Sequence, residues 1–324
     1  MAWSYFKLSQ TEDLKKFIQL REYSCINFST IFREKYFDNL KNSFAANKEP
    51  GIINKICRIA GAGVSTNNSE KPEIAKDIIV HNNWINNSVD FSIMLTENGQ
   101  LLPISGENIA SKIINLSNGL EIFGDSLSNV NTIMGDKKSV SNILKICFSD
   151  KIVAKGINSF NYFTMTLDKK SFKPCKKNLQ EINIRMAAQK DIENLIPLQK
   201  NYEIEEVLPH AKMFNEAISK KHLSSTLKNQ ITVVAEKSGK IIAKANTNGK
   251  GFRYYQIGGV YTLPEYRNIG ISTALVSYLI ENIFPREMDV SLFVKTNNHA
   301  ALKVYINLGF SRTEEFQITY FLQQ

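Results

Sequence analysis

Gln256-Ile257-Gly258-Gly259-Val260-Tyr261-Thr262-Leu263-Pro264-Glu265-Tyr266-Arg267-Asn268-Ile269-Gly270-Ile271-Ser272-Thr273 reads as a strand, a turn and the first turn of a helix. Tyr255, Ile257, Val260, Tyr261 and Thr262 supply the aromatic and β-branched side chains that a pleated, half-buried surface favours. Pro264 has no N–H to donate and stops the ladder. Beyond the turn, Ile271, Leu275, Tyr278, Leu279 and Ile283 recur at three- and four-residue spacing, while Ser272, Thr273, Ser277, Glu281 and Asn282 take the other side. That is the pattern of an amphipathic helix, and Pro285 lies just past its end. Between strand and helix, Gly270 and the small Ser272 stand at a helix entrance, where several backbone N–H groups have no intrahelical acceptor. A turn of that kind binds anions. Gly258 and Gly259, inside the strand, mark a bulge or a close backbone approach.

The chain around this stretch has 324 residues, more than one hydrophobic core usually serves, so two domains are expected. Its 43% hydrophobic and 22% charged residues are those of a soluble globular protein. A net charge of +9 and a pI near 9.2 favour acidic partners: nucleic acid, a membrane surface or a phosphate-rich cofactor. No apolar run approaches the roughly 20 residues a transmembrane helix needs. Glu12, Asp13, Lys15 and Lys16 stand where a signal peptide would be apolar, so a cytoplasmic location is expected. Cys25, Cys57, Cys147 and Cys175 form no C-x-x-C pair, and His81, His210, His222 and His299 do not cluster with them. Neither a disulfide framework nor a metal site is expected.

Ahead of the central stretch, Ser9 and Glu12 have capping-box spacing before a helical pattern. Residues 51–66 are apolar and basic up to a Gly61-Ala62-Gly63 turn, which lacks the rest of a dinucleotide fingerprint and reads as a plain turn. Val89, Phe91, Ile93 and Leu95 alternate with polar residues, and Asn98-Gly99 then gives a hairpin with a returning strand over 101–104. A strand-to-helix passage over 130–138 faintly repeats the central stretch, but it has one glycine and no arginine at the matching distance. Residues 160–167 form another strand. Residues 168–177 carry five lysines and one proline without periodicity, the composition of an exposed linker. The expected organisation is therefore an N-terminal α/β domain over 1–168, a linker over 169–180 and a second domain over 181–324.

The second domain opens with a strand at 182–186 and a helix over 189–207, which Pro197 is expected to break. Glu203 and Glu206 fall on one face of its acidic end at i, i+3. A helix over 214–227, a hairpin around Lys237-Ser238-Gly239, the central strand and helix, and a strand at 290–295 follow. A last helix over 298–307 ends at Gly309, suited to the left-handed C′ position, and 311–321 supplies the closing strand.

In this order the second half resembles the GNAT superfamily of acyl-CoA N-acyltransferases. The family's pyrophosphate motif, Arg/Gln-x-x-Gly-x-Gly/Ala, matches Arg267-Asn268-Ile269-Gly270-Ile271-Ser272 in five of six places, with only Ser272 departing. The family's Asn-x-x-Ala-x-x-x-Tyr followed by Gly-Phe is matched by Asn298, Ala301, Tyr305, Gly309 and Phe310. The resemblance implies an α/β (α+β) fold with a mixed, mostly antiparallel central sheet flanked by helices. It also implies a tandem arrangement, in which the first half is a degenerate GNAT-like copy.

The resemblance further implies a site. The N–H groups of Ile269, Gly270, Ile271, Ser272 and Thr273, together with Asn268, would surround the pyrophosphate of acetyl-CoA, and Arg267 would add charge. The main chain around Val260, Tyr261 and Thr262 would bind the pantetheine amides where the two central strands splay. Asn298 and Ala301 would contact the pantetheine or order the preceding loop, with a plain helix N-cap as the other reading of Asn298. Tyr305 would protonate the departing thiolate, since a phenol with a pKa of about 10 matches a sulfur of similar basicity. Glu203 and Glu206, with Glu205 beside them, are candidates for the base or for binding a cationic acceptor; His210 and His222 are weaker ones.

The function implied is transfer of an acetyl group from acetyl-CoA to a primary amine, on a small molecule or a protein, by direct attack in a ternary complex. A monomer or homodimer acting without stable nucleic-acid or membrane contact is expected. Two other classes fit parts of the sequence. One is a non-catalytic acyl-CoA-binding or sensing module. The other is a tandem transferase using aminoacyl-tRNA, which fits the basic charge but has no need of the pyrophosphate turn.

Overall fold

Alternating side chains and tight turns build two α/β units, which the computed structural model describes over residues 3–5, 11–34, 79–85, 88–105, 123–150, 152, 156–177 and 179–322. One unit comprises Met1–Asn161 with Glu315–Gln324, the other Tyr162–Glu314. Ser9 and the Gly61-Ala62-Gly63 turn lie outside the described residues.

The first unit contains β1 (Trp3–Tyr5), α1 (Thr11–Arg21), α2 (Ile26–Phe32), β2 (Ile79–Ile85), β3 (Ser88–Leu95), β4 (Gln100–Ser105), β5 (Thr132–Asp136) and α3 (Lys137–Cys147). The Asn98-Gly99 hairpin forms as the alternation demands: the Gly99 N–H donates to the Thr96 carbonyl at 2.9 Å with Gly99 at φ 76°. A Cβ at Gly99 would stand against the Asn129 carbonyl, so the turn also needs glycine for space. Phe91, Ile93, Leu101, Ile133, Val140, Ile143 and Phe321 pack into one core.

The second unit contains the second half of β6 (Ile157–Leu167), β7 (Ile182–Met186), α4 (Ile192–Tyr202), α5 (Glu216–Asn229), β8 (Thr232–Lys237), β9 (Lys240–Lys250) and β10 (Tyr254–Thr262). It continues through α6 (Ile271–Ile283), β11 (Asp289–Lys295), α7 (His299–Asn307) and the first residues of β12 (Ser311–Phe321). The Ser238-Gly239 turn and the Gly309 helix end take positive φ, as expected. Strand alternation sends Val233 and Ala235 toward a core with Leu275, Leu279 and Leu302, while Val234 joins Leu195, Leu198, Leu223 and Tyr261. Helices α6 and α7 therefore cover one face of the sheet, α4 and α5 the other.

Both units use the same strand order. In the first, β1-β2-β3-β4-β5 continue into β12; in the second, β7-β8-β9-β10-β11 continue into β6. Each fourth and fifth strand are parallel and the other described pairs antiparallel. Position in the sheet corrects one sequence reading. The passage over 130–138 is β5 and α3, which correspond to β11 and α7, not to β10 and α6. Asp136 caps α3 by accepting from the Ser139 N–H at 2.9 Å, as Asn298 caps α7 by accepting from Ala301 at 3.0 Å.

The segment over 169–180 does not run free between domains. The Lys173 N–H donates to the Leu308 carbonyl at 3.0 Å, the Cys175 N–H to Ser277 Oγ at 2.9 Å, and Phe172 meets Phe284 edge-on. The units divide at Asn161 and Tyr162, ahead of it. Composition counted its lysines, but Phe172, Cys175 and Leu179 pack against the core. Nor does Pro197 break α4, which continues to Tyr202. The irregularity comes later, at a π-helical turn over Glu203–Val207, where the Leu208 N–H donates to the Glu203 carbonyl at 2.8 Å, five residues back.

At the sheet edge, Arg185 on β7 grips Asp191 through two hydrogen bonds of 2.8 and 3.0 Å and reaches Glu236 on β8 at 2.9 Å. Asp191 also accepts from the Ala188 N–H at 2.8 Å, tying the start of α4 to the strand. The Arg185 guanidinium holds the Asp191 carboxyl below the usual aspartate value. That contribution is present above the unfolded pKa and lost as pH falls through the folded one. Asp191→Ala is expected to lower unfolding free energy by about 1–3 kcal/mol at neutral pH, because Arg185 keeps only Glu236 as a partner and the Ala188 N–H loses its acceptor. Urea denaturation of the two proteins measures it, and the difference should shrink in acid.

Candidate active site

Beyond Ile257 and Leu292 the parallel pairing of β10 with β11 ends. On its other side β10 is irregular too. Gly258 pairs with Asn246 and Tyr261 with Lys244, so three steps along β10 oppose two along β9. The extra residue is a bulge, and it changes the face of everything after it. Tyr255 and Ile257 belong to the core under α6, whereas Tyr261, an even number of residues on, packs under α4. Gly259 takes φ 58°, and a Cβ there would overlap the Asn246 side-chain amide and stand 2.9 Å from Lys244 Nζ. Gly259 is therefore favoured by both conformation and space, and Gly258 by space alone, where a Cβ would meet the Asn248 side chain.

The gap so opened belongs to a cavity of about 980 Å³ within the second unit. Val260, Tyr261 and Thr262 line it from β10; Arg267, Asn268, Gly270, Ile271, Ser272 and Thr273 from the turn and helix start; Asn298, Ala301 and Tyr305 from α7 and its cap. Of the expected coenzyme residues only Ile269 is outside the lining, with its side chain 45% exposed. The turn has the form the sequence suggested. Asn268 and Gly270 take φ 66° and 93°, and α6 starts at Ile271, leaving the first N–H groups of the helix without intrahelical acceptors. The Ser272 hydroxyl shares a 2.9 Å hydrogen bond with Thr262 Oγ1, so it ties the strand end to the helix.

Charge is arranged differently from expectation. Arg267 donates through Nε to the Thr262 carbonyl at 2.9 Å, pairs with Glu205 at 2.9 Å and lies over the Tyr261 ring. The Tyr261 hydroxyl donates to Glu205 at 2.7 Å, and burial followed by that carboxylate raises its pKa. Glu206 lines the cavity, 3.3 Å from both Lys295 Nζ and Asn298 Nδ2. Glu203 does not line it; its carboxylate accepts from Gln199 at 2.7 Å and Ser219 at 3.0 Å. The i, i+3 spacing put Glu203 and Glu206 on one face, but the π turn changes the angular spacing and separates them. His210 and His222 are not among the lining residues, whereas His299 is.

Two basic groups near the turn had no signal in the motif. Lys177, from the segment read as linker, donates to the Ile269 carbonyl at 2.8 Å, with its Nζ 3.3 Å from where a Cβ on Gly270 would be. Lys295 donates to the Glu205 carbonyl at 3.1 Å. Tyr305 is 7% exposed with its ring edge-on to Phe310, and burial, then Tyr202 and Glu206, push its phenol well above the usual tyrosine value. Asn298 is the N-cap of α7, the plainer of its two readings. Among the described residues no group of His, Cys, Asp or Glu could hold a metal ion, and no helix is long and apolar enough to cross a membrane.

The bulge makes a direct prediction. Gly259→Ala is expected to cost about 1–3 kcal/mol from the left-handed backbone alone, more if Asn246 cannot move aside. Thermal denaturation beside Gly239→Ala, which has positive φ but open space around it, separates the two costs.

The profile of the Acetyltransferase (GNAT) family matches residues 198–310, from within α4 to Phe310. No curated protein matches the chain. Among solved structures, a Drosophila protein is 11% identical, with a TM-score of 0.65 over 99% of this chain and 98% of its own. A GCN5-related N-acetyltransferase from Sphaerobacter thermophilus is 12% identical, with a TM-score of 0.54 over 98% of this chain and 94% of its own. At these identities the likeness is one of fold. The matched profile lies over the parted strands, the turn and Tyr305, so the likeness to the GNAT family is carried by the second half of the chain.

Proposed function

We propose that the second unit transfers an acetyl group from acetyl-CoA, the co-substrate of its family, to a primary amine by direct attack in a ternary complex. The observation that carries this reading is the gap between β10 and β11, which opens into one cavity with the α6 entrance and Tyr305. The N–H groups at the α6 entrance suit a pyrophosphate, with positive charge supplied by Lys177 as well as Arg267. Main-chain groups of Val260 and Thr262, having no β11 partner, suit the pantetheine amides.

When bound, acetyl-CoA supplies an acyl group activated as a thioester. In the transfer a carbon–nitrogen bond forms and the carbon–sulfur bond breaks. Tyr305 gives its proton to the departing sulfur and is reprotonated from solvent. Its raised pKa makes the phenol a weaker acid than a free tyrosine, and the match with the sulfur rests on the thiolate leaving in the same buried site, where its basicity is raised too. The proton lost by the amine goes to a carboxylate. Glu206, which lines the cavity, suits this role better than Glu203, which does not. Asn298 holds both Glu206 and the first turn of α7, and so orients Tyr305. The first unit, with the same strand order and a matching helix cap, is best read as a divergent GNAT-like half.

Isothermal titration with acetyl-CoA should give saturable binding, and Lys177→Ala should weaken it by about threefold to tenfold at low salt, with less effect at high salt. No binding at high micromolar acetyl-CoA would remove the cofactor from the account. Thiol release from acetyl-CoA across a panel of amines tests the transfer. Tyr305→Phe is expected to slow the best substrate by about 10²-fold while changing CoA affinity little. Binding without thiol release from any amine would favour an acyl-CoA-binding module.

A further inference from the structure

Lys244, in the middle of β9, is 1% exposed and has no place in the transfer described above. It pairs in register with Val234 on β8 and Tyr261 on β10, both members of the apolar cluster under α4 and α5. An ammonium there is costly unless it meets strong acceptors. Its Nζ donates to the Gly259 carbonyl at 2.9 Å and to Asn246 Oδ1 at 3.3 Å, and lies 4.8 Å from the centre of the Tyr202 ring. Tyr202 completes the hold on the bulge, its hydroxyl accepting from the Gly259 N–H at 3.2 Å. Both polar groups of Gly259 are thus held from the α4 side.

The Gly259 carbonyl shares its peptide plane with the Val260 N–H. The described chain contains no cis peptide bond, so the two point in opposite directions. Val260 lines the cavity beyond the last β10–β11 pair, where no ladder acceptor on β11 waits for its N–H. A cation on one end of a peptide group draws electrons along it and makes the N–H at the other end a stronger donor. Resting on the acetyl-CoA reading above, we propose that Lys244 is a positioning residue of the transfer. It fixes and polarises the Gly259–Val260 peptide, so that the Val260 N–H binds the thioester carbonyl oxygen. Burial lowers the Lys244 pKa to about 7 and the Glu203 carboxylate works against that, so the charge on this peptide is sensitive to pH near neutrality. The other titratable neighbours are the phenols of Tyr202 and Tyr261.

The test needs no acceptor. Isotope-edited infrared spectroscopy of [1-¹³C]acetyl-CoA reads the polarisation of the thioester carbonyl. Bound to the unaltered protein, the carbonyl stretch is expected below its free value. In Lys244→Met, which keeps most of the side-chain volume, it should move back toward the free value. The affinity for CoA, which has no acetyl carbonyl, should stay within about twofold, and the melting temperature should hold or rise because a buried charge is removed. An unchanged stretch in a folded Lys244→Met protein that binds CoA normally overturns the proposal. Failure of the unaltered protein to bind acetyl-CoA would instead overturn the reading beneath it. Should Lys244→Met not fold, Lys244→Gln takes its place, and an unchanged stretch in that folded variant overturns the proposal.

Discussion

Two adjacent parallel strands share a ladder only as long as their backbones stay in register, and in this chain β10 and β11 share it for four residues, ending at Ile257 and Leu292. Everything proposed for the site depends on that early end. Backbone donors and acceptors past it need other partners, and the bulge at Gly258 and Gly259 turns the strand so that they face a cavity. Two glycines are the cost of the geometry, because the Asn246 and Asn248 side chains occupy the space where Cβ atoms would be. A polar row of Lys244, Asn246 and Asn248 on β9 then supports from behind what the lost ladder no longer holds.

The charges around the cavity are largely answered from within. Glu205 and Glu206, on the π turn after α4, meet Arg267 from the turn between β10 and α6 and Lys295 from the end of β11. The π turn after α4 is therefore fastened to the side proposed to take the cofactor. A phosphate arriving at the α6 entrance would share Arg267 with Glu205, while Lys177 donates there to the Ile269 carbonyl. The net charge of +9 is thus a poor guide to the site, where paired charges and backbone N–H groups matter more.

The parts legible in the sequence were those written in adjacent residues. The strand, turn and helix over 256–283, the Asn98-Gly99 hairpin and the Gly309 helix end depend on local conformation, so their residue types announce them. The closing strand over 311–321 was legible as a strand, but its partner was not. That the first unit takes the end of β12 beside β5, while β6 lies beside β11, is a long-range pairing that no local pattern encodes. The π turn escaped because an acidic helical run reads alike with four- or five-residue bonds. Lys177 escaped because a lysine-rich, aperiodic stretch looks solvated, and the few apolar residues that dock it, Phe172 and Leu179, are too sparse to set a period. Lys244 is the sharpest case. In sequence it is one polar residue in a strand, and only the sheet register shows that its ammonium ends beneath a glycine carbonyl.

Acetyl transfer as proposed requires one cavity to hold the pyrophosphate at the α6 entrance and the thiol end in the gap beside Val260. A crystal structure with coenzyme A bound is the decisive measurement. Phosphate oxygens are expected within hydrogen-bond distance of the N–H groups of Ile269 to Thr273, with the sulfur between β10 and β11 and facing Tyr305. Coenzyme A bound elsewhere, or bound there with β10 and β11 closed on each other and the sulfur directed away from Tyr305, would contradict it.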